Sequence, residues 1–200
     1  MKIYCLHHKP ATERKEKLLK DFEHHGLEVE WIESFLPEEI DRSQLDIRHK
    51  LNDAQLSLYL KHRNALYYQL ARSDVSPTIV MEDDIVLPFN WDMKGYFKRI
   101  LQDFEEMEGD ILNIGTAFNM HPTVLIGGKY VYHEPHYTTR CAHCYCIARK
   151  ALPKIEETIN IIDDAWDWKL NHIIKKHNLK SCYVEPGLEQ WSLGGGSLLQ

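Results

Sequence analysis

Three consecutive carboxylates, Glu82-Asp83-Asp84, are the residues in this chain best suited to chemistry. They follow the apolar run Ile79-Val80-Met81 and precede a second one, Ile85-Val86-Leu87, with Pro77 and Pro88 punctuating the ends. The first run reads as a buried strand. Adjacent acids repel one another, and burying them unpaired is costly. They therefore belong at the exposed carboxyl end of that strand, where open α/β sheets bind their ligands. A hard divalent cation, Mg²⁺ or Mn²⁺, is the partner their oxygens suit. The rival is a solvated acidic turn. Such turns are usually flanked by Gly, Asn or Ser, whereas both flanks here are core-like.

Other groupings are weaker. Asp163, Asp164 and Asp167 gather at the start of a helical segment, where one carboxylate is enough for a cap. Cys141-Ala142-His143-Cys144-Tyr145-Cys146 has the spacing of half a zinc site, but no second Cys pair or His pair completes it. On a strand, Cys144 and Cys146 would share one face and His143 and Tyr145 the other, so the segment reads as a buried strand. His133 and His136 precede it as further ligand or acceptor contacts that nothing singles out. No Gly-x-Gly-x-x-Gly, P-loop or Gly-x-Ser-x-Gly is present, which weakens dehydrogenase, kinase and serine-hydrolase readings.

The elements that must position these groups follow from periodicity. Residues 2–6 read as a strand, and residues 11–25 as a helix with Leu18, Leu19 and Phe22 on its apolar face and Gly26 as its C-cap glycine. Residues 27–33 alternate as a second strand, so the chain opens as a parallel α/β sheet. A loop with a short helix spans 37–50. Asn52 or Asp53 caps a helix that runs to about Arg72 and carries His62 and Arg63. After the acidic strand, Asn90 is expected to cap a helix whose apolar residues repeat from Met93 to Met107. Residues 110–115 form a strand, residues 124–132 a hairpin about Gly127-Gly128, and residues 142–148 another strand. A helix over 150–159 tolerates Pro153 in its first turn. Asp163 or Asp164 caps a last helix, and 181–184 is a late strand. These elements make one domain over 1–185, with 186–200 expected to be a mobile tail.

The totals agree with this. Two hundred residues, 44% hydrophobic and 27% charged, fit one soluble α/β domain with a sizeable core. A net charge of -6 argues against a nucleic-acid partner. Five cysteines without a framework spacing point to reduced thiols. Neither a signal peptide nor a spanning segment of ~20 apolar residues is found, so a cytoplasmic setting is expected.

The order of motifs resembles glycosyltransferase family 25, which includes lipopolysaccharide and procollagen galactosyltransferases. Its opening strand and Arg-bearing helix are matched by Ile3-Tyr4-Cys5-Leu6-His7-His8 and Arg14, its Ser-His pair by Lys61-His62, and its Leu-Glu-Asp-Asp-Val by Met81 to Ile85. Gly109 to Gly115, Thr139 to Ile147 with Ala151-Leu152, Asp163-Asp164, and Pro186-Gly187-Leu188-Glu189-Gln190-Trp191-Ser192 match the later motifs in order. The sequence departs from the family in two places. His7 and His8 replace paired arginines, and Glu33-Ser34-Phe35 stands where Ala-x-Asp-Gly is usual.

The resemblance implies a GT-A (Rossmann-like) nucleotide-sugar domain with a mainly parallel sheet and a small hairpin. It implies a metal-dependent hexosyl transfer, galactosyl or glucosyl, from a UDP-sugar to a glycan or glycoprotein hydroxyl, with inversion. Tyr4, Cys5, Leu6, His7 and Arg14 would meet the nucleotide, His62 and Arg63 the diphosphate, and Glu82 and Asp83 the ribose, water or a basic partner. Asp84, with Glu82, would hold Mn²⁺ or Mg²⁺. Inversion needs a carboxylate base on the acceptor side, for which Asp164 is the first candidate and Asp163 the second. Trp166, Trp168 and Trp191 could stack on sugar rings, with core packing the rival for Trp166. The competing functions are a metal-dependent phosphohydrolase and a non-catalytic glycan-binding domain on a transferase scaffold.

Overall fold

The computed structural model describes residues 1–72, 77–115, 131–133 and 141–190. Its centre is a seven-stranded sheet of β1 (Lys2–Leu6), β2 (Glu30–Ile32), β4 (Thr78–Glu82), β5 (Ile111–Gly115), β6 (Val131–His133), β7 (Cys144–Ile147) and β9 (Ser181–Leu188), in the order β2-β1-β4-β7-β5-β9-β6. β2, β1, β4, β5 and β9 run one way, and β7 and β6 run the other. A second, two-stranded sheet pairs β3 (Asp46–Ile47) with β8 (Ile161–Ile162).

Alternation along the strands builds two cores. Ile3, Cys5, Ile79, Met81, Cys144 and Cys146 face helices α1 (Thr12–His24) and α3 (Met93–Glu106), where Leu18, Phe22, Met93, Phe97 and Ile100 meet them. Tyr4, Leu6, Val80, Tyr145 and Ile147 face α2 (Asp53–Ala71), α4 (Leu152–Glu156) and α5 (Trp166–His177), through Leu56, Tyr59, Leu66, Trp166 and Leu170. The result is a mostly parallel α/β sheet with helices on both faces. The expected side-chain sorting of Cys144 and Cys146 against Tyr145 is observed.

Several ends differ from expectation. The carboxylate of Asp92, not Asn90, accepts from Gly95 N–H at the start of α3. Neither Asp163 nor Asp164 caps α5. Ala165 stands at the N-cap with no side-chain bond, because Asp163 is drawn to Lys169 and Asp164 accepts only from the adjacent Ala165 N–H. The last strand runs past the expected boundary at 185 to Leu188. Glu189 O then accepts the Val86 N–H at 2.8 Å and Gln190 bridges to Ile85, so residues 186–190 continue β9 and its contacts and are not a tail. β2 is shorter than the 27–33 alternation predicts, since the chain turns through Gly26 at φ +60°. There Gly26 N–H bonds Glu23 O and Leu27 N–H bonds Phe22 O, a Schellman closure of α1. The helix expected over 150–159 is a 3₁₀ turn (Arg149–Ala151) followed by α4. The expected hairpin lies outside the described residues except for its β6 portion.

No helix among the described residues is long and apolar enough to cross a membrane.

Candidate active site

β1 and β4 are parallel neighbours in a register that sets Leu6 beside Glu82. The residues leaving the two strands, His7 and His8 on one and Asp83 and Asp84 on the other, therefore emerge together. Asp83 turns inward. Its Oδ2 lies 2.8 Å from His7 Nδ1 and accepts the His8 N–H at 3.0 Å, and its Oδ1 accepts from Arg14 Nη1 at 3.0 Å. Burial alone would raise this carboxyl. The His7 ring, the His8 amide and the Arg14 guanidinium outweigh burial and hold it below its usual value. Asp83 thus ties the end of β1 and the first turns of α1 to the acidic strand. The His7 ring is held edge-on against Trp31, with centroids 5.5 Å apart.

Glu82 and Asp84 are the pair left facing the cleft. Glu82 continues the Thr78-Val80 side of its strand and so meets α2 and α5. His62 Nε2 is 3.4 Å from its Oε1. Asp84 lies beneath Gln190, whose amide nitrogen is 3.4 Å from both carboxylate oxygens. Burial raises both carboxyls, and the neighbouring acids raise them further, to about 7 in each case, although His143 beside Glu82 and Arg14 beside both acids pull the other way. Two half-buried acids with more negative charge than the protein compensates are what a divalent cation would settle. The donor set suits Mg²⁺ or Mn²⁺. Among the described residues no group of three His, Cys, Asp or Glu converges as a ready cage, so most of the coordination would fall to substrate oxygens and water.

The cleft has two lobes that meet at Glu82, Leu58 and Gln190. The smaller, about 220 Å³, is lined by Leu6, His7, His8, Arg14, Pro37 and Lys61 together with the three acids. Lys61 is 3% exposed, and its ammonium donates to Ser57 Oγ at 2.7 Å and Phe35 O at 3.3 Å. Burial lowers its pKa, and Asp83 only partly opposes that. The backbone of Phe35 is held at φ +62°, an uncommon conformation for a bulky residue, and its carbonyl serves both Lys61 and Ser57. The larger lobe, about 460 Å³, is lined by His49, Lys50, Gln55, Asp164, Asp167, Trp166 and Trp168. Trp168 is 56% exposed at this lobe, whereas Trp166 is core.

A cavity of about 580 Å³ at the amino end of β4 is larger, but two of its basic side chains are engaged by neighbouring groups. Lys150 reaches Asp110 and Glu108 O, and Arg149 reaches Gln69 O. The chemistry concentrates instead on the acidic edge.

The structure brings Leu6, His7, Arg14, Glu82, Asp83, Asp84, His62 and Asp164 to that edge and leaves four candidates away from it. Tyr4 packs in the core near Tyr68, and Cys5 lies in the core beneath α1 and α3. Asp163 bonds the buried Lys169 at 2.6 Å. Arg63 lines neither lobe. Nothing is described of Trp191, of His136 or of the His133 side chain. Lys61 and Gln190 were missed as site residues. Gln190 stands in the last quoted motif, and Lys61 replaces the Ser of the Ser-His pair, but neither type signals a ligand without the fold.

Protein-family models give no match to the sequence, and neither do curated proteins.

Proposed function

We propose that this protein is a metal-dependent glycosyltransferase of GT-A type, moving a hexose from a UDP-linked donor to a hydroxyl of a glycan or glycoprotein acceptor. The observation that carries the reading is the two-lobed cleft joined at Glu82, with cations along one lobe and carboxylates with an exposed indole along the other. The order of motifs resembling glycosyltransferase family 25 supports it.

In this reading the smaller lobe takes the donor. Lys61 and His8 face the diphosphate, while Arg14 and His7 act through Asp83 to keep the wall rigid. Leu6 and Pro37 offer apolar surface to the base. Glu82 and Asp84 would hold Mn²⁺ or Mg²⁺ together with diphosphate oxygens. When bound, the cation would offset the negative charge gathering on the departing diphosphate. The larger lobe takes the acceptor. Trp168 presents a flat face to a sugar ring, and Asp164 accepts the proton of the attacking hydroxyl. Asp167 lines the same lobe and shapes the field at Glu82 and His62.

Calorimetric titration with UDP, UDP-sugars and uridine, with and without Mn²⁺, tests the assignment. UDP should bind more tightly with Mn²⁺, and Asp84→Asn should erase that difference. Lys61→Met should weaken UDP about tenfold and leave uridine unchanged. No affinity for any nucleotide sugar in the presence of Mn²⁺ would overturn the proposal. Phosphate release from a simple phosphoester without an acceptor would favour a phosphohydrolase instead.

A further inference from the structure

His62 has no role in the chemistry proposed above, yet its ring is set among Trp166, Tyr145 and Glu82. It is fully buried. It lies flat on Trp166, with centroids 5.0 Å apart and planes 10° from parallel. Its Nδ1 is 3.0 Å from the hydroxyl of Tyr145, itself fully buried. Its Nε2 has no hydrogen-bond partner and faces Glu82 Oε1 at 3.4 Å. Burial lowers its pKa, and the other charged groups acting on the ring are Asp167 and Lys61.

A neutral imidazole has one N–H and one lone pair, a hydroxyl can give or take, and a carboxylate can only take. With Glu82 ionised, as it must be when it holds a cation, one arrangement satisfies all three groups. With the proton on Nε2, the ring offers a donor to Glu82 and a lone pair to the Tyr145 hydroxyl. The opposite tautomer would set the Nε2 lone pair against the carboxylate.

We infer that His62 is a positioning residue: the Tyr145 hydroxyl donates to Nδ1, fixing the ring as the Nε2–H tautomer, and that N–H steadies the Glu82 carboxylate for the cation it shares with Asp84. The role rests on the reading of Glu82 and Asp84 as cation ligands. Donors standing behind a ligating carboxylate set its orientation, and removing one costs about 10–100-fold in metal affinity. The 3.4 Å separation is a long hydrogen bond that needs only a small turn of the Glu82 carboxylate to close. The simpler alternative is a core histidine that joins α2 to β7 and α5. It requires neither a fixed tautomer nor any link to cation affinity.

Two measurements on the full chain separate them. Long-range ¹H–¹⁵N correlation on uniformly labelled protein at neutral pH reads the tautomer, with the His62 signals identified by their loss in His62→Gln. A protonated Nε2 and a pyridine-like Nδ1 are expected in saturating Mg²⁺, where Glu82 is ionised. The second measurement is calorimetric titration of Mn²⁺ into wild type and Tyr145→Phe, which removes one hydroxyl and keeps the ring. Affinity should fall about tenfold. An Nδ1–H tautomer overturns the inference, as does an unchanged Mn²⁺ affinity in Tyr145→Phe. If wild type binds no divalent cation, the cation reading of Glu82 and Asp84 fails, and the steadying role assigned to His62 fails with it. If wild type binds Mn²⁺ but the tautomer is wrong, only the present inference fails.

Discussion

Both carboxylate oxygens of Asp83 are turned to the protein, and that decides how its substitution behaves. Asp83→Asn would leave Arg14, only 11% exposed at its side chain, without its anion. Removing one partner of a buried pair costs about 3 kcal/mol or more, which urea unfolding at neutral pH would register. The pH dependence has a definite sign. The folded Asp83 carboxyl lies below its usual value, so its contribution is full above the unfolded value of about 4 and is lost as pH falls through the folded one. The gap between wild type and Asp83→Asn should therefore narrow below about pH 4. A constant gap would mean that Asp83 is not ionised in the clamp. The thiols are a second residue-scale case. Burial pushes Cys5 and Cys144 well up, Cys146 to about 12 and Cys182 to about 11. Among the five cysteines only Cys141 is half-exposed. A disulfide reagent should titrate one thiol in the native protein and all five in denaturant, and loss of the native reaction in Cys141→Ser identifies it.

At the scale of elements, the acidic edge depends on how β7 begins and β9 ends. The His143 carbonyl accepts the Glu82 N–H at 2.8 Å, and its Nε2–H donates to Leu188 O at 2.9 Å, two residues before Gln190. Gly115, at the end of β5, lies against that ring, and a Cβ there would run into His143 Nε2. Gly115→Ala should cost about 1–3 kcal/mol and, through Leu188 and Gln190, weaken Mn²⁺ binding at Asp84. Gly26→Ala, strained by its backbone but open to space, should cost about 1 kcal/mol and leave Mn²⁺ binding unchanged. Equal cation affinity in the two variants would sever β9 from the site. This linkage also marks the limit of what the sequence discloses. β1, α1, α2, β4 and the acid run were legible because each is an apolar run or a helical spacing with its own stop or cap signal, such as Gly26 after α1 and Asn52 before α2. β3 and β8 were not, because two-residue strands have no period. The inward turn of Asp83 and the place of Tyr145 behind His62 were hidden for another reason. They depend on which strands are neighbours: β1 beside β4, and an antiparallel β7 between β4 and β5.

For the whole molecule, Glu82 and Asp84 set a stability balance opposite in sign to that of Asp83. Both carboxyls are raised to about 7 in the folded state, chiefly by burial, with further contributions from neighbouring acids. Their unfolded values are about 4. A raised folded value means that the protonated form favours folding. That stability is full below about pH 4 and is lost as pH rises through about 7. Without a divalent cation the protein should therefore become less stable from about pH 5 to about pH 8, on the opposite side of neutrality from the acid loss set by Asp83. Asp84→Asn removes one member of the like-charged pair, so in chelator it should flatten this slope and make the variant more stable than wild type at the alkaline end. A bound cation compensates the same charge. At a hundredfold excess over its dissociation constant Mn²⁺ should add about 2.7 kcal/mol to wild type, and far less to Asp84→Asn. Urea melts of both proteins across this range, in chelator and in Mn²⁺, read the slope and its reversal together. If wild type shows no alkaline decline, the two acids are already compensated by the protein. If the decline is present but Mn²⁺ leaves it untouched, they share a proton and do not bind a metal.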